Sequence, residues 1–197
     1  STDVSGTPAP LTTPSVTATA DYRFAAGGRL LFSDGTTLAS VPADASAPST
    51  PLGNLDGLYR LTPDGTRAVF HSHIEPFDFF LMSRPVDGSS PGLTLVDGSV
   101  GENFQVGQNV VLYTGSGLFS VPLDASGPAL ELSTGLSAGA RIEEFFARLD
   151  PRGERVVFLV HPSAATHGLE VHVVASDGST PPLRLGPVEA AHVKSRG

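Results

Sequence analysis

Five times along this chain an Asp is followed two residues later by a Ser and eight residues later by a Leu. The copies are Asp3-Val4-Ser5 with Leu11, Asp44-Ala45-Ser46 with Leu52, Asp87-Gly88-Ser89 with Leu95, Asp124-Ala125-Ser126 with Leu132, and Asp177-Gly178-Ser179 with Leu185. A Pro stands between Ser and Leu in each, and the Asp-to-Asp steps are 41, 43, 37 and 53 residues. A fixed internal offset repeated at this period is the mark of a repeat architecture, in which one supersecondary unit recurs. A second anchor alternates with the first. It is a Gly followed five positions later by a large apolar residue: Gly27 to Phe32, Gly65 to Phe70, Gly107 to Leu112 and Gly153 to Phe158. Gly197, at the end of Ala191-His192-Val193-Lys194-Ser195-Arg196-Gly197, has the spacing of a fifth copy.

Both anchors read as turns. In Pro63-Asp64-Gly65 the Pro is pre-set in φ, the Asp can bond the turn backbone and the Gly can take positive φ. Short β-branched and aromatic runs flank each turn, so each unit carries four strands: two around the glycine turn, two around the aspartate turn. The 22 Gly and 17 Pro, about one residue in five, are turn punctuation, and they argue against long helices. Four strands per repeat of this length predict an all-β fold, a partial β-propeller of about four four-stranded antiparallel blades with an edge strand at each end. The expected boundaries are 1–13 for the last strand of a preceding blade, 14–53, 54–96, 97–134 and 135–186 for the blades, and 187–197 for the first strand of the next. Blades two and four are longer, and the extra residues are expected between strands two and three, at Ser72 to Asp78 and His161 to Gly168. A chain that opens and stops on orphan strands is expected to be a piece of a larger propeller, completed by the rest of its parent chain. Alone it is expected to self-associate through its sheet edges.

Composition narrows the function classes. The chain has no Cys, which excludes disulfides and thiolate metal sites. Its net charge is -8 with no basic stripe, which argues against nucleic acid as a partner. Its longest aliphatic and aromatic run, Val156 to Val160, is five residues, too short to span a membrane as a helix. No motif calls for an organic cofactor.

At Thr62-Pro63-Asp64-Gly65 through Phe70, and again at Arg84-Pro85-Val86-Asp87-Gly88-Ser89, the chain resembles the TolB-type, WD40-like propeller repeat. That repeat is also found in the propellers of prolyl-oligopeptidase-like enzymes. The resemblance extends over nearly the whole chain. It implies a bacterial origin and a secreted or periplasmic setting, and it implies no reaction, because one fold hosts many functions. The leading expectation is a non-catalytic module for ligand or protein binding within a larger envelope or secreted protein. The alternatives are the propeller of a prolyl-oligopeptidase-like hydrolase whose catalytic domain lies elsewhere, and a lyase- or glycosidase-type propeller with a channel site.

Three constellations could carry chemistry. The first strands of the four blades hold Arg23, Arg60, Gln105 and Arg148, a set suited to a protein partner or a small anionic ligand. His71, His73 and Glu75 alternate, so they share one face if the strand runs that far and could then ligate a metal. Gly88-Ser89-Ser90-Pro91-Gly92 matches the nucleophile-elbow string, but the repeat places a hairpin there, so it reads as a turn. Phe77, Phe79 and Phe80, and the pair Phe145-Phe146, are expected mostly in the core between blades. His167, His172 and His192 read as structural or solvated.

Overall fold

A computed structural model describes residues 21–73, 79–98, 100–101, 103–143, 146–163 and 168–188. The strands are antiparallel, and a 3-10 turn lies at Ala26–Gly28. The first sheet is β1 (Tyr22–Ala25), β2 (Arg29–Ser33), β3 (Thr37–Pro42) and β4 (Thr50–Asn54), paired in that order. The second is β5 (Tyr59–Leu61), β6 (Arg67–His73), β7 (Phe79–Pro85) and β8 (Leu93–Asp97). The third is β9 (Phe104–Val106), β10 (Val110–Thr114), β11 (Leu118–Pro122) and β12 (Leu130–Glu131). The fourth has β13 (Arg141–Ile142), β14 (Arg148–Leu149), β15 (Arg155–His161), β16 (Leu169–Ala175) and β17 (Leu183–Val188). There β13 and β14 both pair with β15, so the inner strand is split in two.

Three buried clusters join consecutive sheets. Leu31, Leu38 and Leu52 meet Tyr59, Ala68, Phe70 and Val86. Val69, Leu81 and Leu95 meet Phe104, Val111, Tyr113 and Val121. Leu112, Leu118 and Leu132 meet Ala147, Val156, Phe158 and Val160. Neighbouring residues of one strand therefore serve different clusters: Ala68 and Phe70 face the first sheet while Val69 faces the third. A strand buried on both faces needs a continuous apolar run rather than an alternating one, which Ala68-Val69-Phe70 and Val110-Val111-Leu112 supply. Sheets stacked face to face in chain order, with their first strands gathered at one cavity, make a partial β-propeller.

The aspartate turn has one geometry in all four sheets. The N–H of the residue after the Asp bonds the carbonyl three residues back: Ala45 to Pro42, Gly88 to Pro85, Ala125 to Pro122 and Gly178 to Ala175, at 3.0–3.1 Å. The Ser N–H two residues after the Asp donates to the Asp Oδ1, at 2.9–3.0 Å. The intervening residue takes positive φ, between 55° and 69°, whether it is Gly or Ala. The Leu eight residues after the Asp has its own explanation. In three sheets the pairing of the last two strands slips by one, and Leu52, Leu95 and Leu185 are the residues skipped. Each is the extra residue of a β-bulge, which re-aims a side chain.

Two expectations change. Gly107 is not a turn glycine: its N–H bonds the Val110 carbonyl, as Thr62 bonds Arg67, so the third hairpin has a two-residue loop, Gln108-Asn109. The shorter loop shifts the register, and Tyr113 rather than Leu112 takes the place of Phe70 opposite the inner strand. The longer blades also place part of their extra length in strands. Ser72 and His73 belong to β6, where the ladder with β7 continues, and His161 belongs to β15, where it pairs with Arg141 of β13.

Candidate functional site

The inner strands of the four sheets hold four side chains at one ladder position. Arg23 pairs with Leu31, Arg60 with Val69, Gln105 with Leu112 and Arg148 with Val157. Three of those partners face the following sheet, so Arg23, Arg60 and Gln105 start toward it as well. The structure brings all four to one cavity of about 720 Å³. Phe24, Phe104, Tyr113 and Thr114 share its wall, and no carboxylate or histidine occurs among its described lining residues.

Arg23, Arg60 and Gln105 each reach toward the next sheet. The Arg23 guanidinium lies 5.3 Å from the Tyr59 ring centroid and Arg60 lies 5.9 Å from that of Phe104, both within cation–π range. Gln105 donates to the Ala147 carbonyl and accepts from the Leu149 N–H at 3.2 Å, clasping the inner strand of the fourth sheet. Arg148 bonds the Ala147 carbonyl next to it, at 2.7 Å.

The cavity is electropositive. Arg23 pairs with Asp21 at 3.0 Å outside the wall. Burial, and then the Arg23 and Arg148 charges, push the Arg60 guanidinium below its usual value. Its Nε is buried with no hydrogen-bond partner among the described residues, as is the Thr114 Oγ1. Burial and the Asp21 carboxylate raise the Tyr59 phenol to about 12, so it stays protonated and donates to the Asp21 carbonyl at 2.9 Å. The site thus offers hydrogen-bond donors and fixed positive charge, the chemistry that holds carboxylates, sulfates or phosphates.

The other sequence candidates fall elsewhere. His71 and His73 lie two apart on β6, on one face, and the His71 ring packs edge-on against Phe104 at 5.0 Å. Glu75 lies outside the described residues, among which no three His, Asp or Glu side chains gather as metal ligands. Ser89 sits in the turn between β7 and β8, its N–H held by Asp87, with no helix following. Phe79 and Phe146 are exposed rather than core, while Phe77, Phe145, His167 and His192 lie outside the described residues. His172 is buried against Phe158 and contacts Glu170, which Arg184 also binds.

Sequence reasoning missed Thr114 and Tyr113 in the cavity wall. They follow a hairpin whose loop length had to be known before their ladder partners could be. Arg29 was missed too: its Nε donates to Val86 O of the next sheet at 3.1 Å.

No family model matches the chain, and no curated protein does. Solved structures do. A TolB-type protein from Agrobacterium tumefaciens superposes with a TM-score of 0.50 at 17% identity, over 82% of this chain and 62% of that one. A chain of the yeast heterotrimeric Nup82–Nup159–Nup116 nucleoporin complex superposes with a TM-score of 0.51 at 11% identity, over 84% of this chain and 44% of that one. The chain therefore spans less than two thirds of either protein's length. The likeness establishes the fold and nothing finer: this chain shares the β-propeller fold of these proteins.

Proposed function

We propose that this chain is a non-catalytic binding module of a larger protein, and that its cavity takes a small anionic ligand or an anionic side chain of a protein partner. The observation that carries this reading is the convergence of Arg23, Arg60 and Arg148 on one cavity whose described lining has no compensating carboxylate. A desolvated guanidinium with an open donor gains most from an incoming anion, because the charge-assisted bond replaces lost water. The same lining supports binding rather than hydrolysis or elimination, which call for a positioned proton acceptor such as Asp, Glu or His.

Isothermal titration calorimetry with citrate, inorganic phosphate and a sulfated disaccharide tests the reading. Binding of at least one is expected, weakening as salt is raised. Arg60→Gln is expected to weaken it roughly tenfold or more, the worth of a hydrogen bond to a charged group. Heat from none of the three at millimolar concentration overturns the proposal. So does unchanged affinity in both Arg60→Gln and Arg148→Gln variants that unfold at the parent temperature.

A further inference from the structure

A second cavity, of about 400 Å³, lies between the third and fourth sheets, and none of the four inner-strand polar side chains lines it. Its origin is a connector. Leu55 to Leu58 and Gly98 to Asn103 join the earlier sheets, whereas the longer Leu132 to Ala140 joins β12 to the extra strand β13. That connector folds into two turns, with the Leu136 N–H bonding the Ser133 carbonyl at 3.3 Å and the Ala140 N–H bonding that of Ser137 at 3.0 Å. The cavity is bounded by these turns, by β13 and by the hairpin turn that follows β10.

Two opposite charges line this cavity without meeting. Glu131, on β12, and Arg141, on β13, are both exposed. Among the described residues the ion pairs are those of Arg23, His161, His172 and Arg184, so Glu131 and Arg141 each lack an ion-pair partner. The carboxylate is nevertheless held in place. Glu131 Oε1 accepts from Ser133 Oγ at 2.8 Å, and that buried hydroxyl itself accepts from the Leu118 N–H at 3.2 Å. Gly117 makes room for the pair: a Cβ there would lie 2.6 Å from Ser133 Oγ and 3.0 Å from Glu131 Oε1. Thr114, whose Oγ1 is buried without a partner among the described residues, stands in this wall as well as in that of the central cavity.

An anion alone would face the Glu131 charge, and a cation alone that of Arg141. A molecule carrying both charges satisfies both, each through a charge-assisted hydrogen bond. We infer that this cavity is a binding site for a small zwitterion, a free amino acid whose ammonium group bonds Glu131 and whose carboxylate bonds Arg141. The rest of the wall fits the rest of such a ligand: Leu136 and Ile142 offer apolar contact, and Thr114 offers a hydroxyl. The volume lies at the small end of the range for ligand pockets, in keeping with a single amino acid. The site is independent of the central cavity, whose described lining holds arginines and no carboxylate.

The test is calorimetry on the 197-residue chain with L-leucine, L-threonine and γ-aminobutyrate, which differ in side chain and in charge separation. At least one is expected to bind at millimolar concentration. Its relatives that keep a single charge, for leucine 3-methylbutylamine and 4-methylpentanoate, are expected to bind at least about tenfold more weakly. Glu131→Gln and Arg141→Gln are each expected to weaken the zwitterion by a similar factor. Both side chains are exposed, so both variants are expected to melt within about 2 °C of the parent. Arg60→Gln, in the central cavity, is expected to leave the zwitterion's affinity unchanged. Heat from none of the three zwitterions overturns the inference, as does a single-charge relative that binds as tightly, a comparison that needs no variant. Unchanged affinity in either Glu131→Gln or Arg141→Gln also overturns it. So does binding lost in Arg60→Gln, which would assign the ligand to the central cavity.

Discussion

The four aspartate turns are one experiment with two outcomes already built in. Gly88 and Gly178 take the positive-φ position in two of them, Ala45 and Ala125 in the other two, at φ 56° and 55°. A side chain with a Cβ costs roughly 1–2 kcal/mol in that region. Replacing Ala45 or Ala125 by Gly removes the strain but returns about 0.4–1 kcal/mol of unfolded-state freedom. Both methyls are exposed, so no packing is lost. The net expectation is a gain of about 0.5–1 kcal/mol for each variant, about 2–4 °C in melting temperature for the larger figure in a chain of this length. The sites sit in different sheets and share no partner, so the double variant is expected to gain about twice as much.

The reverse changes separate strain from collision. A Cβ on Gly178 would meet Leu130 Cδ1 at an ordinary 3.6 Å, whereas one on Gly88 would lie 2.6 Å from Thr50 Cγ2. Gly178→Ala is expected to lose about what Ala45→Gly gains, and Gly88→Ala distinctly more, because the overpacked contact adds to the strain. Urea unfolding followed by circular dichroism would rank the chains: Ala45→Gly and Ala125→Gly above the parent, Gly178→Ala below it, Gly88→Ala lowest. A loss of stability in both Ala→Gly variants would refute the strain argument, and equal losses in the two Gly→Ala variants would refute the contact argument.

Two further outcomes follow from the hydrogen bonds. Gln105→Ala is expected to destabilise by about 1–3 kcal/mol, the cost of leaving the Leu149 N–H of the fourth sheet without its acceptor, measured by urea midpoint; an unchanged midpoint would show that the clasp is idle. Side-chain and backbone hydrogen bonds hold Asp44, Asp64, Asp87, Asp124 and Asp177 below the ordinary carboxylate range. Their support is complete above the unfolded value near pH 4 and is lost as pH falls through the folded values. Asn at these positions keeps an acceptor but cannot titrate, so combined Asp→Asn variants are expected to unfold less steeply in acid; an unaltered acid profile would refute the linkage.

Much of the fold was legible because turns are local. Asp-x-Ser encodes its own hydrogen bonds within a few residues, and its recurrence counted the sheets before any packing was known. The four inner-strand positions were legible for the same reason: Tyr22-Arg23-Phe24, Tyr59-Arg60-Leu61, Phe104-Gln105-Val106 and Ala147-Arg148-Leu149 sit at one place in the unit. Hairpin length was not, and Gly107 shows why. A two-residue loop and a four-residue loop both satisfy the same composition, and the ladder decides which one pulls Tyr113 rather than Leu112 opposite Phe104.

The sequence by itself determined the repeat, its all-β character and the polar side chains of the inner strands. Only the tertiary structure decided what those side chains do. It made the Leu eight residues after the Asp a bulge in three of the four sheets, and it made Gln105 an inter-sheet clasp while leaving the Arg60 Nε without a hydrogen-bond partner among the described residues. It also left Val157 and Leu185 of the fourth sheet exposed while burying Val69 and Leu95, which hold the same places in the second. The physical reason is range: turn chemistry acts over a few residues, whereas burial and desolvation depend on which sheet stands opposite.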